Sequence, residues 1–275
     1  MNKKLGHDAI YDARELGVPR MLLLGLQHLF AMFGATVLVP VLTGLSVSAT
    51  LLFAGLGTLL FHFLSRGKVP AFLGSSFAFI AGYAAIAPNG ETELLPYACL
   101  GVACAGLFRA FGATRVMRFF PPVVTGPIVI SIGLILASSA IANCQTNWLV
   151  AVIAVAVIVI CNIWGRGMVK IVPILLGVVV SYAVAAVLGE VDFSGVAVAP
   201  WVGLPVVWDN TVFALFGPQF DSGLATTAII TIMPLAFATM IEHIGDISAI
   251  GSTCERNYIA DPGLHRTLLG DGLAT

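Results

Sequence analysis

The stretch WLVAVIAVAVIVICNIW, from Trp148 to Trp164, carries no charge and is closed at each end by a tryptophan. As a helix rising 1.5 Å per residue it sets the two indole rings about 24 Å apart, a fair span between two interfacial belts. The whole chain repeats the theme. Its 275 residues are 59% hydrophobic and 10% charged, with a mean hydropathy of +1.00; ordinary soluble domains carry about 25% charged residues. A soluble protein of this length cannot hide so much apolar surface. The sequence therefore reads as an all-α polytopic membrane protein.

Eight apolar runs stand out, at 21–40, 47–64, 70–87, 94–112, 121–142, 148–164, 171–188 and 224–250. Glycine and proline punctuate most of their ends, among them Pro19, Pro40, Pro70, Pro88, Pro121, Pro122, Gly165 and Gly189. The first run, from Met21, suits a spanning helix better than a cleavable leader. If the runs alternate across a bilayer, all thirteen basic residues fall on one side: Lys3, Lys4, Arg14, Arg20, Arg66, Lys68, Arg109, Arg115, Arg118, Arg166, Lys170, Arg256 and Arg266. The opposite loops, 41–46, 88–93, 143–147 and 189–223, hold no Lys or Arg and carry Glu91, Glu93, Glu190, Asp192, Asp209 and Asp221. This positive-inside pattern predicts a cytoplasmic N-terminal segment, 1–20, in a multi-pass protein of the cytoplasmic (inner) membrane. The loop 189–221, with Trp201 and Trp208, is expected along the outer interface.

Several function classes drop out. There is no basic stripe for nucleic acid. The five cysteines, Cys99, Cys104, Cys144, Cys161 and Cys254, are odd in number and scattered, which argues against a disulfide framework or a zinc cluster. The sequence has neither a Gly-rich phosphate loop nor a G-x-S-x-G elbow, so neither a primary pump nor a serine hydrolase is expected, and no metal or cofactor is called for.

Five ionisable residues lie within the apolar runs: His28, His62, Glu242, His243 and Asp246. A charge at mid-bilayer costs roughly 2.5–3.5 kcal/mol on insertion scales, so such residues read first as functional. Glu242 and Asp246, four apart, share a helix face; His243 is turned about 100° from Glu242. Glu242 is either a ligand-binding or proton-carrying carboxylate or an interhelical hydrogen-bond donor in its neutral form. Asp246 either joins it or caps the helix end. His28, beside Gln27, is either functional or a packing partner, while His62 and His243 read as structural. The third run, with Gly74, Ser75, Ser76 and Gly82, is short and bounded by prolines. It is either a broken segment that frees backbone groups for a cavity or a helix packed through small residues, and SSFAFI within it also suits a strand.

LQHLFAMFGATVLVPVLTG (Leu26–Gly44), KVPAFLGSSFAFI (Lys68–Ile80), FFPPVVTGPIVISIGLILA (Phe119–Ala137), EHIGD (Glu242–Asp246) and DPGLHRTLLGDGLAT (Asp261–Thr275) resemble the nucleobase–ascorbate transporter family, its bacterial uracil permeases most of all. The resemblance covers essentially the whole chain. It implies two inverted seven-segment repeats, with a short strand in the broken third segment. It divides the chain into core segments one to four (21–114), gate segments five to seven (115–188), the outer loop (189–221), and core segment eight with the start of segment nine (222–275). That is about eight of fourteen segments, so the chain is expected to be part of a longer one.

The family pattern implies proton-coupled uptake of uracil. Glu242 would hydrogen-bond the pyrimidine, Ser76 and the Phe77 backbone would meet it, and His28 would belong to the polar network of site and proton. Asp246 is the expected second member of the proton relay, although some relatives carry His there. The partners implied are the nucleobase, protons, the lipid bilayer and a second copy of the chain. Rival readings are a xanthine or uric acid permease, a channel, and a membrane enzyme using Glu242 and His243 as an acid–base pair.

The orientation is directly testable. In a cysteine-free background, Glu190→Cys should react with a membrane-impermeant maleimide on intact cells, and Lys170→Cys only after permeabilisation. The reverse pattern would place the N-terminus outside.

Overall fold

In the computed structural model the apolar runs fold as helices. It describes residues 10, 12–88, 91, 93–116, 122–198, 203, 205, 206, 208, 211–216 and 220–275. Lys3, Lys4, Arg118, Pro121, Trp201 and Asp209, named above, lie outside these residues. In chain order come α1 (Val18–Thr43), α2 (Val47–Leu64), α3 (Ile80–Ile86), α4 (Leu95–Val116), α5 (Pro122–Cys144) and α6 (Trp148–Trp164). There follow α7 (Met168–Ile171), α8 (Pro173–Val187), α9 (Ser194–Val198), α10 (Ser222–Ile232), α11 (Leu235–Thr253) and α12 (Leu264–Ala274). Among the described residues, three helical stretches are long and apolar enough to cross a membrane: Val18–Thr43, Val47–Leu64 and Ser222–Thr253.

Polar side chains set the starts. Ser46 caps α2 by accepting from the Ala49 N–H at 3.3 Å, and Asn147 caps α6 by accepting from Val150 at 3.2 Å. Asp221 caps α10, accepting from Gly223 and Leu224 at 2.7 and 3.1 Å. Both tryptophans at the ends of α6 are exposed. In the long loop, Asp192 accepts from the Ser194 N–H and hydroxyl at 2.8 and 2.9 Å. These bonds favour the charged form and hold its carboxyl below the usual range.

Two expectations need correcting. The eighth apolar run forms one spanning stretch, Ser222–Thr253, but it is interrupted: α10 ends at Ile232 and α11 begins after Pro234, because proline has no N–H to continue the ladder and its ring crowds the preceding turn. The third run contains no strand, and none occurs among the described residues. Residues 71–76 are irregular, Phe77–Phe79 is a 3₁₀ turn, and only then does α3 begin. Ser76 has the extended backbone of a strand, but no ladder partner lies beside it among the described residues.

The chain forms two compact units, Met1–Gly34 with Ala137–Leu204 and Ala35–Leu136 with Pro205–Thr275. In the first, α6 and α8 pack together, with Gly177 so close that a β-carbon would lie 2.6 Å from Ile158 Cγ1. In the second, α12 packs against both α2 and α4, and α10 and α11 also pack on α4. Two clusters make up most of its core. One gathers Phe79, Tyr83, Leu95, Val102, Ile232 and Ala236. The other gathers Phe61, Val69, Met240, Ile247, Tyr258, Leu264 and Leu268.

Small residues let α12 in. A β-carbon on Gly272 would lie 2.5 Å from the Ala110 nitrogen and 2.6 Å from the Gly106 carbonyl oxygen. Backbones this close need glycine. Gly272→Val should therefore push α12 off α4 at a cost of about 1–3 kcal/mol, seen as a lower melting midpoint in detergent micelles. Gly55→Ala, whose β-carbon would meet nothing within 4 Å, should leave that midpoint unchanged.

Candidate functional site

The irregular stretch before Phe77 is held by side-chain hydroxyls rather than by a ladder. Thr58 on α2 accepts from the Leu73 N–H at 3.0 Å and donates to the Ala54 carbonyl at 2.8 Å. Ser75 donates to the carbonyl of Thr36, a buried residue of α1, at 3.1 Å. The first bond satisfies the Leu73 N–H, a backbone group that the broken segment would otherwise leave open, and the Ser75 bond ties the segment to α1. The 3₁₀ turn Phe77–Phe79 then packs against α11, where the two carboxylates sit.

On α11 the three polar residues divide as the helical period demands. Glu242 is half-buried and Asp246, one turn on, is exposed, while His243 points into the protein and is 5% exposed. There the Nδ1 of His243 lies 2.6 Å from Oδ2 of Asp271 on α12. The same carboxylate is ion-paired with Arg109 of α4. Arg109 and Asp271 are 4% and 8% exposed. One carboxylate thus joins three helices. In the neutral imidazole, Nδ1 is the donor, leaving Nε2 as an acceptor, and that atom is buried with no hydrogen-bond partner. The ring also meets Phe61 edge-on at 6.3 Å between centroids.

Of the residues marked in the sequence, Glu242, Asp246, Ser76 and Phe77 all belong to the second unit, with Ser76 and Phe77 half-buried. The Ser76 hydroxyl is buried without a hydrogen-bond partner. His28, on α1, is exposed and belongs to the first unit. Arg109 needs reassigning. The sequence placed it among the charges that orient the chain, but it lies inside α4 and is committed to Asp271. Asp271 is not marked as a site residue by the sequence. The signals for both were an arginine inside an apolar run and an aspartate framed by Gly270 and Gly272.

The second unit carries a carboxylate, Glu242, on the helix that packs against the 3₁₀ turn, and a neutralised charge pair between α4 and α12. It suits recognition of a small ligand that has both N–H donors and carbonyl acceptors. Among the described residues no group of three His, Cys, Asp or Glu side chains could hold a metal ion.

A model of the Permease family matches residues 19–275. The uracil permease of Bacillus caldolyticus is 38% identical over 275 residues, covering 94% of this chain and 62% of its own. The uracil permease of Escherichia coli K12 is 39% identical over 267 residues, covering 92% and 59%. A putative pyrimidine permease of the same strain is 37% identical over 274 residues, covering 92% and 59%. The chain thus spans about three fifths of the length of these curated relatives. With such relatives and its apolar helices, it is a multi-pass membrane protein.

Thr58→Val removes the anchor of the broken stretch while keeping its volume. It leaves the Leu73 N–H without its acceptor, which should cost about 1–3 kcal/mol. Hydrogen exchange by mass spectrometry should show faster exchange confined to residues 71–79.

Proposed function

The chain belongs to the permease family, and from that premise we propose that it is the uracil-reading part of a proton-coupled nucleobase transporter. The observation that carries the proposal is that half-buried Glu242 lies on the helix against which the 3₁₀ turn Phe77–Phe79 packs, at the end of the irregular stretch 71–76. Uracil offers ring N–H donors and carbonyl acceptors. Glu242 accepts the N–H donors, and backbone groups at Ser76 and Phe77 meet the carbonyls. In a desolvated pocket this discriminates strongly, because a wrong ligand leaves buried polar groups unpaired. The relatives named as uracil and pyrimidine permeases support a pyrimidine over xanthine or uric acid.

Proton coupling follows from the cost of moving a bare carboxylate through an apolar layer. A proton taken up with uracil neutralises Glu242 for the transition. Asp246, one turn away, passes the proton on, and His28 completes the polar network. The working protein is a secondary transporter and not an enzyme. Core segments 21–114 and 222–275 shift against gate segments 115–188 within an inverted-repeat fold. Its N-terminus is cytoplasmic, and two copies pair through the gate.

The test is labelled uracil uptake in cells lacking their own permease, using the native reading frame beside Glu242→Gln. Uptake should fall at least tenfold with the variant and collapse with a protonophore. Uptake indifferent to both would point to a channel. Xanthine uptake in place of uracil would move the substrate class.

A further inference from the structure

Arg109, Asp271 and His243 meet where α4, α11 and α12 join, and Glu242, the residue before His243, and Asp246 ride on the same α11. One cation thus has three carboxylates on the helices around it. Buried guanidinium requires an anion, and any of the three could in principle supply it. The packing decides which. Glycines at 106, 270 and 272 bring α12 against α4 and α2 at backbone distance, and this fixes Asp271 on Arg109. His243 holds the same carboxylate from a third helix. Glu242 and Asp246 are left facing outward from the knot, half-buried and exposed.

We infer that Asp271 is a positioning residue whose task is to keep Arg109 away from Glu242. With Asp271 in place, the guanidinium is neutralised locally and Glu242 remains open to a ligand's N–H groups and to a proton. Without it, Arg109 is a buried cation with no partner, and Glu242, the residue before His243 on α11, is the neighbouring carboxylate along that helix. The two would pair, and a bidentate guanidinium–carboxylate contact would occupy the oxygens that read the ligand. Arg109 and Asp271 are therefore needed as a pair: losing the anion alone is worse than losing both. This deepens the reading of Glu242 as the ligand-binding carboxylate and rests on it, but its test uses no substrate.

The test is labelling of Glu242 by dicyclohexylcarbodiimide in the purified chain in detergent micelles, read by peptide mass spectrometry. The reagent adds to a carboxyl that can take up a proton and passes over one locked in an ion pair. The wild-type protein should label at Glu242. Asp271→Asn should cut that labelling by about tenfold, one unit of log in the equilibrium between free and paired carboxyl. Arg109→Gln in the same background should restore it to within about twofold, since the cation is gone. Arg109→Gln alone should label at least as well as wild type.

Undiminished labelling in a folded Asp271→Asn, or a folded double variant that stays low, overturns the inference. So does a wild-type protein unlabelled at Glu242. If the single Asp271→Asn variant fails to fold, the charge-neutral double variant still decides. Labelling at the wild-type level supports the inference, and low labelling contradicts it. Because uracil is not used, a failure of uracil uptake and a failure of this inference show up in different experiments.

Discussion

A guanidinium cannot sit among apolar helices without a counter-charge, and the second unit is organised around meeting that need for Arg109. The burial of a charge is costly and its rescue demands close, well-aligned partners. Here the partner is Asp271, and it is shared with His243, so α4, α11 and α12 meet at one carboxylate. The glycines of α12 follow from this constraint. A side chain as short as aspartate reaches Arg109 only if the two backbones nearly touch, and Gly106 and Gly272 permit that approach.

The placement of Glu242 follows in turn. α11 cannot rotate without pulling His243 from Asp271, so the helix face that carries Glu242 and Asp246 is fixed. The broken third segment is fixed from its other side by Thr58 and Ser75. Its 3₁₀ turn lies against the same helix. Buried polar contacts thus fix both the helix that carries Glu242 and the segment packed on that helix, while Glu242 takes part in none of them, as suits a group proposed to bind a ligand.

Much of this could be read from the sequence, for physical reasons that are easy to name. Long apolar runs between Gly and Pro mark helices, and α2 and α6 begin and end where the runs do. The i, i+4 spacing of Glu242 and Asp246 set them on one face, and the helical period turned His243 away from it. The irregularity of residues 71–76 was visible in Gly74, Ser75 and Ser76. A strand there was not decidable, since a strand needs a partner and local sequence cannot supply one. The break at Pro234 was signalled by the proline, but the apolar run passes through it without a change of composition. The ion pair was hidden for a different reason. Arg109 and Asp271 lie far apart in the chain, and an arginine near the end of an apolar run looks the same whether it faces a headgroup layer or an aspartate.

Everything proposed for the site turns on Glu242 as the group that reads the ligand. The most direct measurement is protection of that one carboxyl from carbodiimide by added nucleobases in membranes containing the wild-type protein. Uracil should protect Glu242 in a saturable way, with xanthine protecting far less. Labelling of Glu242 that no pyrimidine changes, in protein that takes up uracil, would contradict the account.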